Sequence, residues 1–281
     1  MSIRPTNLQW SEWVPFAPTN EGFRAIPKAP GLYRVRAMGH TSLVYIGQTG
    51  RSLRERVRTL CLRSLDTDMP FNDPHTAAPN LWAWRRSEGW DFEASIAECD
   101  PPDADRQGLE CCLLWEYRLK HGESTLANHG RFHADYSKSG NRASGQRGGR
   151  LAQGRTNLFG GPSMLPLPPH GAPTDPDWMK LAWHEDVALK AADIAYALTE
   201  PGLYRIVEDS QVSYVGESKN LRARLRSHVR TWQSPAICSW VVTPHATEAY
   251  QRHELENDLI GSFYCQHGHS PRRQFNSKVA K

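Results

Sequence analysis

Six polar side chains near the C-terminal end stand at spacings that suit chemistry: Tyr204, Tyr214, Arg224, His228, Glu256 and Asn276. Nine residues separate the two tyrosines, and the short β-type runs around them predict two adjacent strands of a hairpin. Arg224 and His228 are four apart, so a helix shows them on one face. Glu256 lies in a predicted helix further on, within Leu-Glu-x-x-Leu-Ile. One carboxylate among arginine, tyrosine and histidine suits a single hard cation held mostly through water, as Mg²⁺ prefers, with Mn²⁺ as its substitute. Arginine clamps phosphate oxygens in bidentate fashion. A phenol beside a metal and a guanidinium has its pKa drawn down from about 10 toward a range where it deprotonates water. Base, metal and positive charge are what hydrolysis of a phosphodiester requires as negative charge grows in the transition state.

The same set occurs a second time. Gly31-Leu32-Tyr33-Arg34-Val35 matches Gly202-Leu203-Tyr204-Arg205-Ile206, each after a proline, and Tyr45-Ile46-Gly47 matches Tyr214-Val215-Gly216. An arginine-rich segment follows each pair, with Arg56 at the place of Arg224. Leu109-Glu110 to Leu114 matches Leu255-Glu256 to Ile260, and Asn128 closes the first copy as Asn276 closes the second. A repeat of this length means two related domains. Residues 31–35 and 43–46, and again 203–207 and 212–215, read as hairpins. Residues 52–62 and 221–231 read as the arginine helices, 92–97 and 236–242 as third strands, and 105–121 and 247–264 as glutamate helices. Residues 78–86 predict a further helix carrying Trp82, which the shorter second copy lacks.

The run from Tyr214 through Glu217-Ser218-Lys219-Asn220-Leu221 to His228, then Leu-Glu-Asn-Asp-Leu-Ile and a closing asparagine, resembles the GIY-YIG nucleases. That family includes homing endonucleases, the incision domain of bacterial excision-repair nucleases, structure-specific nucleases and restriction enzymes. The first repeat is similar too, with one more residue between Tyr45 and Arg56 and with Leu60 where the second has His228. The resemblance covers most of the chain outside its ends and middle. It implies that Tyr45 and Tyr214 are candidate general bases and that Tyr33 and Tyr204 order the site and its water. It also implies that Arg56 and Arg224 stabilise phosphate, that Glu110 and Glu256 are the sole metal ligands, and that Asn128 and Asn276 brace the site. His228 is an alternative proton acceptor. Glu116 and Glu254 are rival carboxylates, set aside because they fall outside the shared Leu-Glu-x-x-Leu frame.

The implied architecture is α+β: two tandem GIY-YIG-like domains, each a small three-stranded, mainly antiparallel sheet flanked by helices. The expected division is 1–136 for the first domain, 137–176 for a basic Gly/Pro-rich linker and 177–281 for the second. The length of 281 residues suits two domains. Residues 137–174 hold eight glycines, five prolines and five basic residues with no acid, which suits both a flexible linker and a strap along a polyanion. Arg142, Arg147, Arg150 and Arg155 on it, with Arg51, Arg54, Lys219 and Arg222 at the starts of the arginine helices, are the basic side chains assigned to DNA.

No apolar run approaches membrane-spanning length, and the start lacks the apolar core of a secretory signal. The six cysteines show no framework spacing and read as reduced thiols, so a cytoplasmic location is expected. Cys265-Gln-His267-Gly-His269 has no partner motif and reads as a polar loop rather than a zinc site. Taken singly, a strand tyrosine is usually packing, a helix arginine usually a solvated face, and a helix glutamate usually exposed. Six in family order, twice, favour a site. The expected function is Mg²⁺-dependent endonucleolytic cleavage of double-stranded DNA. Two active sites in one chain would act as a pseudo-dimer, with a homodimer as the alternative, in a restriction or defence role that includes modification sensing. The competing readings are a structure-specific repair nuclease that nicks branched DNA, and a non-catalytic DNA-binding protein with decayed sites.

Overall fold

A computed structural model describes residues 4–17 and 21–275 and has an α+β fold that divides into two compact units. One unit comprises residues 6–102 and 125–162. It holds β1 (Val14–Pro15), α1 (Gly22–Ala25), β2 (Gly31–Ala37), β3 (Leu43–Thr49), α2 (Leu53–Ser64), α3 (Ala78–Glu88), β4 (Phe92–Glu98), β5 (Tyr136–Ser137) and β6 (Gly149–Arg150). The other comprises residues 1–5, 103–124 and 163–281. It holds α4 (Asp103–His121), β7 (Val187–Ala188), β8 (Gly202–Glu208), β9 (Gln211–Ser218), α5 (Leu221–Thr231), β10 (Ile237–Val242) and α6 (Ala249–His267).

The two main sheets have one plan. Their strand orders are β1-β4-β2-β3 and β7-β10-β8-β9, antiparallel throughout. Three long strands match the expectation from sequence, and a two-residue edge strand makes a fourth in each. The ladder of each hairpin slips at the same place, between Val35 and Arg36 and between Ile206 and Val207. Such a bulge sharpens local twist. Ser52 and Asn220 cap the arginine helices by accepting from the amides of Glu55 and Ala223. Leu53, Val57 and Leu60 on α2, and Leu221 and Leu225 on α5, face their own sheets as buried stripes.

Helix α4 belongs with the second-repeat unit, although it follows the first repeat's third strand in sequence. It runs antiparallel to α6: Asp105 accepts from the Ser270 amide, Cys112 is joined to Cys265 in a disulfide, and Arg118 meets Asp258 and Glu254. The Arg118 guanidinium is fully buried and donates to Asp258, Ser124, Ser163 and the carbonyls of Met164 and Leu165. A buried charge requires that degree of satisfaction. The disulfide corrects the expectation that all cysteines are reduced thiols. Its partners lie 153 residues apart, so no local spacing marks them.

The segment expected as a linker is tied down. Residues 137–162 belong to the first-repeat unit, where β5 pairs β6, Arg147 donates to the Met69 carbonyl and stacks on Phe71, and the Arg142 amide reaches Asp73. Further on, Trp115 donates to the Leu167 carbonyl and the Leu167 amide to Asp258. Glycines and prolines here make turns closed by backbone bonds, which is the second use of that composition. No helix among the described residues is long and apolar enough to cross a membrane.

Candidate active site

The second repeat brings Tyr204, Tyr214, Arg224, His228 and Glu256 together within one unit. Tyr204 pairs with Gly216 across the hairpin, and Tyr214 is two residues before that glycine, so both phenols stand on one sheet face. Their ring centroids are 6.0 Å apart. The glycine is required here, since a Cβ on Gly216 would strike the Tyr204 hydroxyl. Helix α5 then lays Arg224 and His228 over the same phenol. Arg224 Nε donates to the Tyr204 oxygen at 3.0 Å, and that oxygen lies 2.8 Å from His228 Nε2. The His228 ring also packs on Tyr214 and Trp232, with centroids 5.2 and 5.7 Å away.

Burial sets the electrostatics. His228 is 2% exposed, and burial with the neighbouring Arg224 charge pushes its pKa down to about 4. The imidazole is therefore neutral, the form in which Nε2 can accept a hydrogen bond from the Tyr204 hydroxyl. Burial raises the Tyr204 phenol well above its ordinary value, the Tyr214 charge adds to that, and Arg224 opposes it. Tyr214 is raised by burial and by the Glu256 charge, again opposed by Arg224. Burial pushes the Glu256 carboxyl up to about 7. His253 and Arg224 act against the rise, and Glu217 adds to it.

Glu217, absent from the residues expected by resemblance, is thus a second carboxylate beside Glu256. Arg252 holds it at 2.7 Å and His253 at 3.6 Å. Its place two residues after Val215, in the strand that carries Tyr214, is the signal the sequence offers for it. Glu256 and Glu217 are carboxylates, the ligand type that a hard divalent cation takes. Of the rival carboxylates, Glu254 is fully buried and accepts from Ser163 and the Met164 amide, so it braces the helix pair. Glu116 is exposed, beside Cys112 and Cys265.

Asn276 lies outside the described residues. Gln274 makes the contact that a closing residue would make. Its side-chain oxygen accepts from the Val215 amide at 2.9 Å and its nitrogen donates to the Val215 carbonyl at 3.1 Å. Asn128 does the same to Ile46, at 3.0 and 2.8 Å. Ile46 and Val215 are the middle residues of the two Tyr-x-Gly motifs. The family pattern closes on asparagine, so the sequence alone does not point to this glutamine.

In the first-repeat unit, Tyr33 pairs with Gly47 and its ring lies 5.9 Å from that of Tyr45. Arg56 Nε donates to the Tyr33 hydroxyl at 3.2 Å, and Nη1 to the Pro74 carbonyl at 3.1 Å. Leu60 is buried in the core. Glu110 is on α4 and so belongs to the other unit.

The basic residues divide by what they hold. Arg54 donates to the carbonyls of Ile26 and Arg24, and Arg222 to that of Ala197, so both pin the approach to their helices. Arg51, Arg142, Arg150, Arg155 and Lys219 have exposed side chains.

Over 72 residues the chain is 43% identical to the UvrABC system protein C of Aromatoleum aromaticum (strain DSM 19018 / LMG 30748 / EbN1). That match covers 22% of this chain and 12% of that protein, so the chain spans a small part of its relative. No protein-family profile and no solved structure matches the chain.

Proposed function

We propose that this chain is a divalent-metal-dependent DNA endonuclease of the GIY-YIG type, with one active site per repeat. The observation that carries the reading is the Tyr204 oxygen set between Arg224 Nε and His228 Nε2, with Tyr214 and Glu256 electrostatically coupled to it. The similarity to UvrABC system protein C suggests a DNA nuclease. Glu256 would hold Mg²⁺, with Glu217 near it, and the ion would supply a Lewis acid for the phosphate oxygen. Tyr214 orients the attacking water; its phenol pKa is raised in the metal-free site, so it would act as the base only once Arg224 and a bound cation stabilise its anion. Arg224 would place positive charge beside the non-bridging oxygens that gain negative charge in the pentacoordinate transition state. His228 fixes the Tyr204 hydroxyl, which in turn fixes Arg224. Two sites in one chain allow each strand of a duplex to be cut without a partner, which suits a restriction or defence enzyme.

The same similarity favours a second reading, a repair nuclease that nicks branched or flapped DNA. The deciding experiment incubates purified protein and Mg²⁺ with modified and unmodified plasmids, linear duplexes and flapped oligonucleotides. Double-strand scission of plasmid supports the first reading, and nicks confined to branched substrates support the second. Binding without cutting under any divalent ion refutes both.

A further inference from the structure

The first repeat offers leucine where the second offers histidine. Leu60 is 1% exposed and packs among Val57 and Cys61, so the α2 position that corresponds to His228 has no proton acceptor. Another histidine lies in the same unit. His75 is on the segment joining α2 to α3, which the shorter second repeat lacks. Its side chain is 4% exposed, and its Nδ1 is buried without a hydrogen-bond partner among the described residues. Leaving a buried polar atom unpaired is destabilising. Native proteins carry few such groups, and each calls for an explanation.

The position of this residue says which site. Pro74, the preceding residue, accepts from Arg56 Nη1, while Nε of the same guanidinium donates to the Tyr33 hydroxyl. The joining segment is therefore pinned to the arginine that grips the first site's phenol. We propose that His75 is the histidine of the first site, a positioning residue whose Nδ1 accepts a hydrogen bond from the Tyr33 hydroxyl when DNA fills the site. The second site already makes the corresponding bond, between Tyr204 and His228. The electrostatics run in parallel. Burial and then the site arginine hold both imidazoles neutral, with pKa values of about 4, Arg56 acting on His75 and Arg224 on His228; Arg63 also acts on His75. A neutral ring is the form that accepts. The segment absent from the second repeat thus replaces a side chain absent from the first repeat's helix.

The inference rests on the nuclease reading, and its test separates the two. In protein carrying Glu256→Gln, which silences the second site, nicking of supercoiled plasmid is followed under single-turnover conditions with saturating enzyme and Mg²⁺. His75→Ala should lower the rate constant by about tenfold or more, with the dissociation constant for DNA unchanged within about twofold. Adding Leu60→His to His75→Ala should restore cutting, because it puts an imidazole where the second repeat has one. A parental rate in His75→Ala overturns the proposal and leaves the nuclease reading intact. A loss that Leu60→His does not repair, accompanied by a lower melting temperature, also overturns it, since His75 then only packs. If the wild-type protein cuts nothing, the nuclease reading fails and the ring nitrogens decide. With duplex DNA and Ca²⁺ present, ¹⁵N signals of His75 that are identical in wild type and Tyr33→Phe overturn the proposal.

Discussion

Tyr204 and His228 share a buried hydrogen bond of 2.8 Å, and Arg224 donates to the same phenol oxygen. Because the imidazole is neutral, its Nε2 can accept a hydrogen bond from the phenol O–H, while the phenol oxygen accepts one from Arg224 Nε. The three side chains therefore act as one unit. Tyr204→Phe and His228→Ala should each slow cutting by the second site, and the double variant should be little slower than the worse single one. Coupling of about 1–3 kcal/mol is expected in the double-mutant cycle of single-turnover rates. Independent effects that multiply would show that His228 acts elsewhere, with Tyr214 as the first candidate.

A histidine kept neutral by burial makes stability depend on pH. The unfolded chain binds a proton with a pKa of about 6.5, whereas the folded chain resists it until about 4. The contribution of His228 is thus present above pH ~6.5 and is lost as pH falls toward 4. Full loss amounts to about 3 kcal/mol. Urea unfolding should show the advantage of wild type over His228→Gln shrinking by about that amount between pH 7 and pH 4. His75 titrates in the same window and is common to both proteins, so it cancels. An advantage that is flat with pH would mean that the imidazole is hydrated.

The local parts of this fold are legible in the sequence. Ser52 and Asn220 announce the arginine helices, and the Gly-Leu-Tyr and Tyr-x-Gly runs announce hairpins whose register then faces Tyr204 with Gly216. What stays hidden is set by distant packing. Nothing in the α4 sequence says that it pairs with α6, because the partner of an amphipathic helix is chosen by tertiary fit. The disulfide between Cys112 and Cys265 follows from that pairing and is equally hidden. Gln274 is hidden for a third reason: an amide side chain one methylene longer performs the job of asparagine from a different sequence position.

That assignment is open to test. Gln274→Ala would leave the amide and carbonyl of Val215 buried and unpaired, at a cost of about 1–3 kcal/mol. Asn276→Ala should cost less than about 0.5 kcal/mol, because the Val215 backbone is already satisfied. Thermal or urea unfolding of the two variants compares them directly. The reverse ranking would return the closing role to Asn276. Asn128→Ala should resemble Gln274→Ala, since it strips Ile46 in the same way.

Glu256→Gln removes a carboxylate charge and keeps the side chain's size. It should abolish cutting by the second site while DNA binding persists. The variant should nick where wild type cuts both strands, and sequencing the nicked ends checks this. If Glu256→Gln cuts normally, the metal assignment is wrong.

The basic side chains divide into those that hold the protein and those left for a polyanion. Arg147 donates to the Met69 carbonyl and covers Phe71, so Arg147→Ala should lower the melting temperature and affect DNA binding mainly through that destabilisation. Arg142, Arg150 and Arg155 are exposed. Replacing those three with alanine should leave the melting temperature unchanged and weaken binding to every sequence alike. The slope of log K against log salt should flatten by about 0.9 for each phosphate that is no longer neutralised, and so by up to about 3 for the triple variant. Titrations on specific and random duplexes at three or more salt concentrations give both quantities. A changed sequence preference at an unchanged slope would instead mean that these arginines read base edges, because a phosphate carries charge and no sequence.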